Sequence, residues 1–355
     1  MTSNKSNIYN IRANDLGQLI KPKELKEKLP IEERDINFIK RSRNEIEKVL
    51  DGEDKRFLII VGPCSIHKKD EALDYARRLS QLKEAVKDKI IIVMRTYFEK
   101  PRTIIGWKGL IKDPNLDGSA AINLGLYLAR EIMLEITRLN LACATEALDV
   151  MIPQYISDLV SYSAIGARTC ESQLHRELAS GLSMPVGFKN STDGSVDMAI
   201  NGIKAANAQH VFIGINEDAV LSIFSTSGNK YAHLILRGGR NGPNYEQEFV
   251  NEAINKLRKA NVCDKIIIDC SHDNTLTERD GALVKDYRRQ EHVFLNVLEQ
   301  RLKGNENIVG ASLESNINEG NQPLSDELAY GISITDACIG WELTEKLIME
   351  AYRHL

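Results

Sequence analysis

The sequence lacks three features that would place it in a familiar class: a basic excess, clustered cysteines and long apolar runs. Its 46 Lys and Arg against 50 Asp and Glu give a net charge of −4, which argues against general nucleic-acid binding, where a basic excess supplies most of the affinity. No uninterrupted apolar run approaches the roughly 18 residues that a membrane span needs, and the polar N-terminus has no signal-peptide core. We therefore predict a cytoplasmic protein without membrane or nucleic-acid partners.

The six cysteines are scattered along the chain and show no CxxC spacing. This pattern is typical of reduced thiols in a cytosolic protein, and it excludes the dense disulfide framework of small secreted domains. One of the cysteines could still serve as a metal ligand.

Short apolar runs alternate with helical patterns over most of the 355 residues. Continuous apolar runs suit strands that are buried on both faces of a parallel sheet. The eight runs are FLIIVG, IIIVM, LACAT, SAIGA, PVGF, HLIL, IIID and IVGASL. They predict an α/β protein, a (β/α)8 TIM barrel over residues 53–355, since such barrels take about 250 residues plus insertions.

Two segments fall outside this repeat. Residues 1–52 end on Gly52, a typical helix C-cap, and we predict that they form an N-terminal extension for oligomerisation or regulation. The runs HVFIGI and AVLSIFSTSGN precede the sixth predicted strand. Their β-branched content and the Ser-Gly-Asn sequence at 227–229 favour a regulatory β-hairpin inserted at about 210–232 over further barrel strands.

A polar or metal-binding residue follows each of the eight predicted strands. Chemistry in such barrels occupies the carboxyl ends of the strands, so these side chains should meet at one mouth. They are Cys64, Arg95, Glu146, Arg168, Lys189, Arg237, His272 and Glu314. A single cation after a strand is more often a solvated loop residue, but that explanation does not account for all eight.

Four of the eight residues are cations, and the stretch VMRTYFEKPRTIIGWKG adds Lys100 and Arg102. Bringing so many positive charges together is unfavourable unless anions neutralise them. The pattern therefore predicts a site for phosphate or carboxylate groups, and for more than one of them.

The other strand-end residues have ligand chemistry. Cys64, His272 and Glu314, with Asp336 on a later loop, offer a thiolate, an imidazole and two carboxylates, a plausible set for a divalent metal. Considered alone, Cys64 is typical of a small buried hydrophobic residue, and His272 is typical of a loop residue. Because these ligands are distant in sequence, the metal prediction depends on the barrel prediction.

Several long motifs resemble those of the type I, microbial, feedback-regulated 3-deoxy-D-arabino-heptulosonate 7-phosphate (DAHP) synthases. The motifs are GPCSIH (62–67), MRTYFEKPRT (94–103), GWKGLIKDP (106–114), ATEALD (144–149), IGARTCESQLHRELASGLSMPVGFKN (165–190), ILRGG (235–239), DCSH (269–272), ESNINEGNQ (314–322) and SITDACIGWE (333–342). The resemblance runs from about residue 10 to the C-terminus.

This resemblance implies a metal-dependent transferase. It would condense phosphoenolpyruvate with D-erythrose 4-phosphate and water to DAHP and phosphate, the first step of the shikimate pathway of aromatic amino acid biosynthesis. It also implies one divalent ion per subunit, which could be Mn, Fe, Co or Zn, acting as a Lewis acid on the aldehyde oxygen. Lys100 is the implied proton donor, and Glu146 and Lys189 would hold the water.

Site residues follow from the matching motif positions. The implied metal ligands are Cys64, His272, Glu314 and Asp336. The implied phosphoenolpyruvate site comprises Arg95, Lys100, Ala167, Arg168, Lys189 and Arg237. The implied erythrose 4-phosphate site comprises Lys100, Pro101, Arg102, Thr103 and Asp336.

The resemblance further implies inhibition by an aromatic amino acid, bound in a separate pocket near the hairpin and the extension of a homodimer or homotetramer. The matching positions are Val150, Gln154, Ser183, Phe212, Gly214 and Phe224, with Asn10 from a neighbouring subunit. Gly214 stands where phenylalanine-sensitive members tend to carry Ser, and it leaves room for a ligand hydroxyl. The sequence therefore favours a tyrosine-sensitive isozyme.

Three residues depart from the family pattern: Ser191 in place of Gly, Cys170 in place of Thr, and Asp273 in place of a small residue. If position 191 has a positive φ, Ser costs about 1 kcal/mol. Cys170 and Asp273 would either tune the metal or be tolerated.

Three alternatives explain the sequence less well. The related 3-deoxy-octulosonate 8-phosphate synthases usually carry Ala-Asn-Arg where this chain has Lys-Pro-Arg-Thr at 100–103. A non-catalytic aromatic amino acid sensor on the same fold would lack a ligand or a cation, and none is missing. An unrelated metal-dependent sugar-phosphate aldolase leaves the long motifs unexplained.

Overall fold

The computed structural model describes residues 10–102 and 106–355. Within them, eight parallel strands close into a barrel in which the first strand pairs with both the second and the last. The barrel strands are β1 (Phe57–Gly62), β2 (Ile90–Arg95), β3 (Ala142–Glu146), β4 (Val160–Ile165), β5 (Val186–Lys189), β8 (Ala232–Leu236), β9 (Ile266–Asp269) and β12 (Ile308–Glu314). The predicted (β/α)8 barrel is confirmed.

The described residues also form ten α-helices. They are α1 (Pro22–Lys28), α2 (Glu33–Asp51), α3 (Lys69–Val86), α4 (Ile122–Arg138), α5 (Pro153–Ile156), α6 (Gln173–Gly181), α7 (Asp197–Ala206), α8 (Gln247–Lys259), α9 (Gln290–Leu302) and α10 (Trp341–His354). Among these helices, none combines the length and the apolar composition needed to cross a membrane.

Two helices precede the barrel, and two arginines, one half-buried and one buried, attach this part of the chain to it. Arg43 on α2 donates hydrogen bonds to the carbonyls of Ser157 (2.7 Å) and Val160 (2.9 Å), just before and at the start of β4. Arg130 on α4 is fully buried, donates to the Leu29 carbonyl (3.0 Å) and pairs with Asp158 (2.7 Å). The extension therefore packs tightly against the barrel wall.

The inserted hairpin is present before the sixth barrel strand. It consists of β6 (Val211–Ile215) and β7 (Leu221–Ser225), which pair in an antiparallel manner. Its turn lies at residues 216–220, where the Asn216 amide donates to the Val220 carbonyl (3.0 Å). The Ser-Gly-Asn sequence that suggested the hairpin lies after β7 instead. There the Asn229 side chain donates to carbonyls near the end of α6, which ties the hairpin exit to the barrel.

A second hairpin was not predicted from the sequence. It consists of β10 (Leu276–Arg279) and β11 (Ala282–Lys285). Its turn contains Asp280 and Gly281, with φ angles of 50° and 77°, and an Asp-Gly pair between two short strands is a recognised hairpin signal. The signal was present, but both strands are too short and exposed to show an apolar pattern.

The strand-end residues now have definite places. Arg95, Glu146, Lys189 and Glu314 are the last residues of their strands, and the other four lie within three residues of a strand end. Parallel strands of a closed barrel point the same way, so all eight backbone positions lie at the same rim.

Candidate active site

A pocket of about 320 Å³ opens at this rim. It collects residues from the ends of seven barrel strands or the loops that follow them, together with one from β11. The lining residues are Lys100, Pro101, Arg102, Glu146, Leu148, Gly166, Ala167, Arg168, Thr169, Lys189, Arg237, His272, Lys285 and Asp336. Ten of the residues predicted from the sequence are in this set, whereas Thr103 lies outside the described residues.

Three predicted metal ligands form a close group beside the pocket. One ligand atom each from Cys64, Glu314 and Asp336 lies within 4.8 Å of the others, and the Cys64 sulfur is 3.7 Å from Asp336 Oδ2. Cys64 and Glu314 are buried, and Asp336 is exposed on the pocket side. A thiol with two carboxylates is a donor set that a divalent cation of mixed softness accepts, so the residues fit a metal ion.

His272 lies at the edge of this group. Its Nε2 is 3.8 Å from Glu314 Oε1, and its Nδ1 is 2.8 Å from Asp269 Oδ2. The residue has a φ of 54° at the start of a short 3₁₀ turn. A carboxylate beside the second ring nitrogen is the usual way to orient a metal-binding imidazole.

Arg95 has its counterion inside the protein. The side chain is almost fully buried, its Nη2 lies 3.0 Å from Glu314 Oε1, and its guanidinium lies 4.0 Å from the centre of the Tyr97 ring. Burial raises the pKa of Glu314, but His272, Arg95 and Lys100 lower it more, so this pKa is about 2. Glu314 is therefore an anion that serves both the arginine and the metal-ligand group.

Lys100 reaches from the loop after β2 to the metal-ligand group. Its Nζ lies 3.0 Å from the Cys64 sulfur and 3.2 Å from the Cys64 carbonyl oxygen. Burial lowers the pKa of Lys100, but Cys64, Glu314 and Asp336 raise it above its ordinary value. Burial also raises the pKa of the Cys64 thiol to about 11. Lys100 is therefore a protonated ammonium that lines the pocket.

Asp269 contacts two predicted site residues, although it was not itself predicted as a site residue. Its Oδ2 lies 3.1 Å from Lys189 Nζ and 2.8 Å from His272 Nδ1. Burial raises the pKa of Asp269, but His272 and Lys189 lower it well below its usual range. Its position as the last residue of IIID, immediately before the CSH of the histidine motif, was an available signal.

Glu146 occupies its place because the facing residue is a glycine. A Cβ atom at Gly166 would lie only 2.3 Å from Glu146 Oε1. Both residues line the pocket, and Glu146 is near enough to Lys189 to raise its pKa, although burial of the lysine acts in the opposite direction. The carboxylate and the ammonium therefore face the same space.

Arg237 pairs with Asp273, one of the three unusual residues. The Arg237 Nη1 contacts Asp273 Oδ2, and Lys285 Nζ lies 3.0 Å from Asp273 Oδ1. Burial raises the pKa of Asp273, but Arg237 and Lys285 lower it below its ordinary value. Lys285 was not predicted because it lies on the second hairpin and not at the end of a barrel strand.

Two further cations of the stretch VMRTYFEKPRTIIGWKG, Arg102 and Lys108, have different surroundings. Arg102 Nε donates to the Trp107 carbonyl (2.8 Å) and lines the pocket with Pro101. Lys108 is exposed and is not among the lining residues, although its carbonyl accepts the Lys100 amide (3.0 Å). Ala167 and Arg168, from the loop after β4, also line the pocket.

The other two unusual residues fit without strain. Ser191 is not among the described non-glycine residues with positive φ, so the expected cost does not arise. Its hydroxyl lies 2.5 Å from Asp193 Oδ1 and 3.0 Å from the Ser195 carbonyl. Cys170 is buried with its sulfur 3.3 Å from the Ala167 carbonyl, and burial raises its pKa to about 11.

The residues expected to bind an inhibitor fall into two groups. Val150, Gln154 and Ser183 do not line a small cavity nearby, but each lies within two residues in sequence of a residue that does, namely Ile152, Pro153, Leu182 or Met184. Phe212 and Phe224 are cross-strand partners on the β6 and β7 hairpin, with ring centroids 5.8 Å apart, and Gly214 lies next to Phe224. Asn10 is exposed, and its expected contact with another subunit stays a prediction.

A closed (β/α)8 barrel with a cation-lined pocket beside a Cys, Glu and Asp group defines a barrel enzyme for anionic substrates. The sequence profile of the DAHP synthetase I family matches residues 28–349. The chain therefore belongs to the DAHP synthetase I family.

Similar proteins cover almost the whole chain. The Tyr-sensitive phospho-2-dehydro-3-deoxyheptonate aldolase of Escherichia coli is 47% identical over 354 residues, 99% of this chain and 97% of that protein. The Phe-sensitive aldolase of the same organism is also 47% identical, over 96% of this chain and 95% of that protein. The solved phospho-2-dehydro-3-deoxyheptonate aldolase from Francisella tularensis matches with a TM-score of 0.92 and 43% identity, over 96% of this chain and 98% of that one.

Proposed function

We propose that this chain is a DAHP synthase, which condenses phosphoenolpyruvate with D-erythrose 4-phosphate and water and releases phosphate. This reaction is the first step of the shikimate pathway. One observation carries the proposal: the cation-lined pocket and the group of Cys64, Glu314 and Asp336 occupy the same end of the barrel. Two phosphorylated substrates require several cations, and this pocket is lined by six.

The two substrates are assigned to different parts of the pocket. Phosphoenolpyruvate is assigned to the side with Arg168, Lys189 and Arg237, with Arg95 below it. Support comes from two carboxylates, the buried Asp269 and the half-buried Asp273, which contact Lys189 and Arg237 and hold these cations in place. Erythrose 4-phosphate is assigned to the side with Pro101, Arg102, Thr103 and Asp336.

The chemistry is assigned to residues between these two parts. Cys64, Glu314 and Asp336, with His272 beside them, would hold a divalent ion that supplies Lewis acidity for a developing alkoxide. Lys100 carries a proton within 3.0 Å of the same group and is the proposed proton donor. Glu146 and Lys189 face one space and would orient the attacking water. A thiolate, an imidazole and two carboxylates accept Mn, Fe, Co or Zn.

The function is tested by phosphate release from phosphoenolpyruvate. Purified protein is assayed with and without erythrose 4-phosphate, after chelation and again after manganese is added. We expect release only when the sugar phosphate and the metal are both present. No release from folded, metal-loaded protein would overturn the proposal and favour the sensor alternative. Faster release with arabinose 5-phosphate would favour the octulosonate synthase instead.

Feedback inhibition by tyrosine is the proposed regulation. Overall sequence identity does not favour one effector, because it is 47% with both the Tyr-sensitive and the Phe-sensitive relatives. The support for tyrosine comes from one position in the hairpin. Gly214 lies beside Phe224 and adds no side chain to that corner of the hairpin. The assay above, repeated with tyrosine, phenylalanine or tryptophan, identifies the effector.

The proposal includes the oligomeric state and the location: a homodimer or homotetramer in the cytoplasm. The outer face of the inserted hairpin carries four apolar side chains, Val211, Ile213, Leu221 and Ile223, which are 68–81% exposed. An apolar face of this kind favours burial against another copy of the chain. Light scattering measures the oligomeric state, and a monomer at working concentration would contradict this part.

A further inference from the structure

The hairpin of β10 and β11 delivers a cation to the pocket. Lys285 is the last residue of β11 and pairs with Leu276, the first residue of β10. At this base of the hairpin the Asp286 amide donates to the Thr275 carbonyl (3.1 Å). The backbone of Lys285 is therefore held beside the turn that carries His272, while its side chain is 52% exposed and lines the pocket.

Asp273 holds the Lys285 ammonium on one carboxylate oxygen and Arg237 on the other. The carboxylate is itself well positioned. The Asp273 amide donates to the Arg237 carbonyl (3.1 Å), and the backbone packs so closely that a Cβ at Gly238 would lie 2.4 Å from the Asp273 carbonyl carbon. Asp273 therefore sets the distance between the two cations.

The charges around Asp273 do not balance, in contrast to those around two neighbouring cations. Arg95 is paired with Glu314, and Lys189 is paired with Asp269. Arg237 and Lys285 share the single negative charge of Asp273. The group of Arg237, Lys285 and Asp273 therefore carries one net positive charge, and a dianionic phosphate would supply the missing negative charge.

We propose that Lys285 is a further phosphate-binding residue of this enzyme, positioned by Asp273. Its ligand is the phosphate of phosphoenolpyruvate, because Lys285 shares a carboxylate with Arg237, which the proposed function assigns to that substrate. Asp273 acts as a positioning residue that holds the ammonium toward the pocket when no anion is bound.

The test combines direct binding with steady-state kinetics. Phosphoenolpyruvate is titrated calorimetrically into the parent protein, Lys285→Ala and Lys285→Arg, and both KM values are measured. We expect Lys285→Ala to bind phosphoenolpyruvate about tenfold more weakly, with most of the loss in KM and little in kcat. Lys285→Arg should retain most of the affinity. The difference between Lys285→Ala and the parent should shrink as salt is added.

Lys346→Ala is the matched control, because Lys346 is also an exposed lysine in an ion pair but lies on α10, away from the pocket lining. Unchanged affinity in Lys285→Ala would overturn the proposal. A rise only in the KM for erythrose 4-phosphate would overturn the assignment to phosphoenolpyruvate. Calorimetry does not depend on turnover, so a protein without synthase activity would contradict the proposed function while still testing Lys285.

A second variant tests the role of Asp273. Asp273→Asn keeps the shape of the side chain and removes the charge that holds both cations. A positioning role predicts a changed KM for phosphoenolpyruvate and an altered salt dependence, with the melting temperature near that of the parent. If Asp273→Asn and Lys285→Ala in combination weaken binding no more than either change alone, the two residues act together. Fully additive losses would contradict the coupling.

Discussion

The Lys100 ammonium lies 3.0 Å from the sulfur of Cys64. This contact joins the loop after β2, which carries the proposed sugar-phosphate residues, to the group of possible metal ligands. The two residues are 36 positions apart in the chain. Their proximity means that a change in either one should affect both substrate chemistry and metal binding.

Replacing Cys64 with Ala should abolish metal-dependent turnover. The substitution removes the thiol from a three-residue group in which no described residue can replace it. We expect kcat to fall at least about 100-fold, since even outer-shell changes at metal sites cost 10- to 100-fold. Metal content is measured alongside activity. Full activity with a normal metal content would show that Cys64 is not a ligand.

Replacing Lys100 with Met should reduce kcat by about 100-fold or more, the usual contribution of a positioned proton donor. Met keeps much of the length and the apolar stem but cannot carry a proton. Lys100→Arg serves as the control that keeps the charge while changing the proton donor. If Lys100→Met loses affinity for phosphoenolpyruvate and keeps its kcat, Lys100 is a binding residue only.

Glu99 should make stability depend on pH. Its Oε1 is buried and has no hydrogen-bond partner among the described residues, and Oε2 accepts the Asp149 amide at 3.4 Å. Burial, and then the Asp149 charge, raise the pKa of Glu99 to about 8, although Lys112 lowers it. In the unfolded chain the pKa returns to about 4.5. Between these values only the folded state binds the proton, so the free energy of unfolding falls as pH rises from about 4.5 to 8.

Glu99→Gln keeps the shape and removes this titration. We expect the variant to melt higher than the parent at about pH 9, and the difference to shrink toward about pH 5, where the parent carboxyl is protonated. Each unit of pKa shift corresponds to about 1.4 kcal/mol. Melting temperatures of both proteins across this range provide the check. A difference that does not change with pH would contradict the raised pKa.

Gly166→Ala should reduce activity through Glu146. The new methyl group would lie 2.3 Å from Glu146 Oε1, so the carboxylate must move out of its place beside the pocket. We expect kcat to fall about tenfold or more, as small displacements of catalytic groups can cost about 100-fold. Circular dichroism should be unchanged. Unaltered kcat would show that the position of Glu146 does not matter for turnover.

Gly214→Ser should weaken inhibition by tyrosine. A Cβ atom at this position would lie 3.1 Å from the Phe224 ring, so the ring must shift, and the hydroxyl takes space left for the ligand. We expect a rise of about tenfold in the tyrosine concentration that halves activity, with the uninhibited rate unchanged. Inhibition curves for tyrosine and phenylalanine provide the measurement. Unchanged curves for both would place the effector elsewhere.

Much of the fold was predictable because burial leaves a simple pattern. Strands such as β1 and β2 are buried at every position, so they appear as unbroken apolar runs whose ends are easily found. The hairpin of β10 and β11 is mostly exposed and has no such pattern. Only its Asp-Gly turn indicated it.

The sequence by itself determined the barrel, the residues that end its strands and, through long motifs, the family. Tertiary structure alone decided which charge faces which. Asp269 joins Lys189 to His272, and Asp273 joins Arg237 to Lys285. These pairings depend on barrel closure and on side-chain directions at its rim, which bring together residues that are distant in the chain. Electrostatic energy depends on those distances, and no spacing in the sequence encodes them.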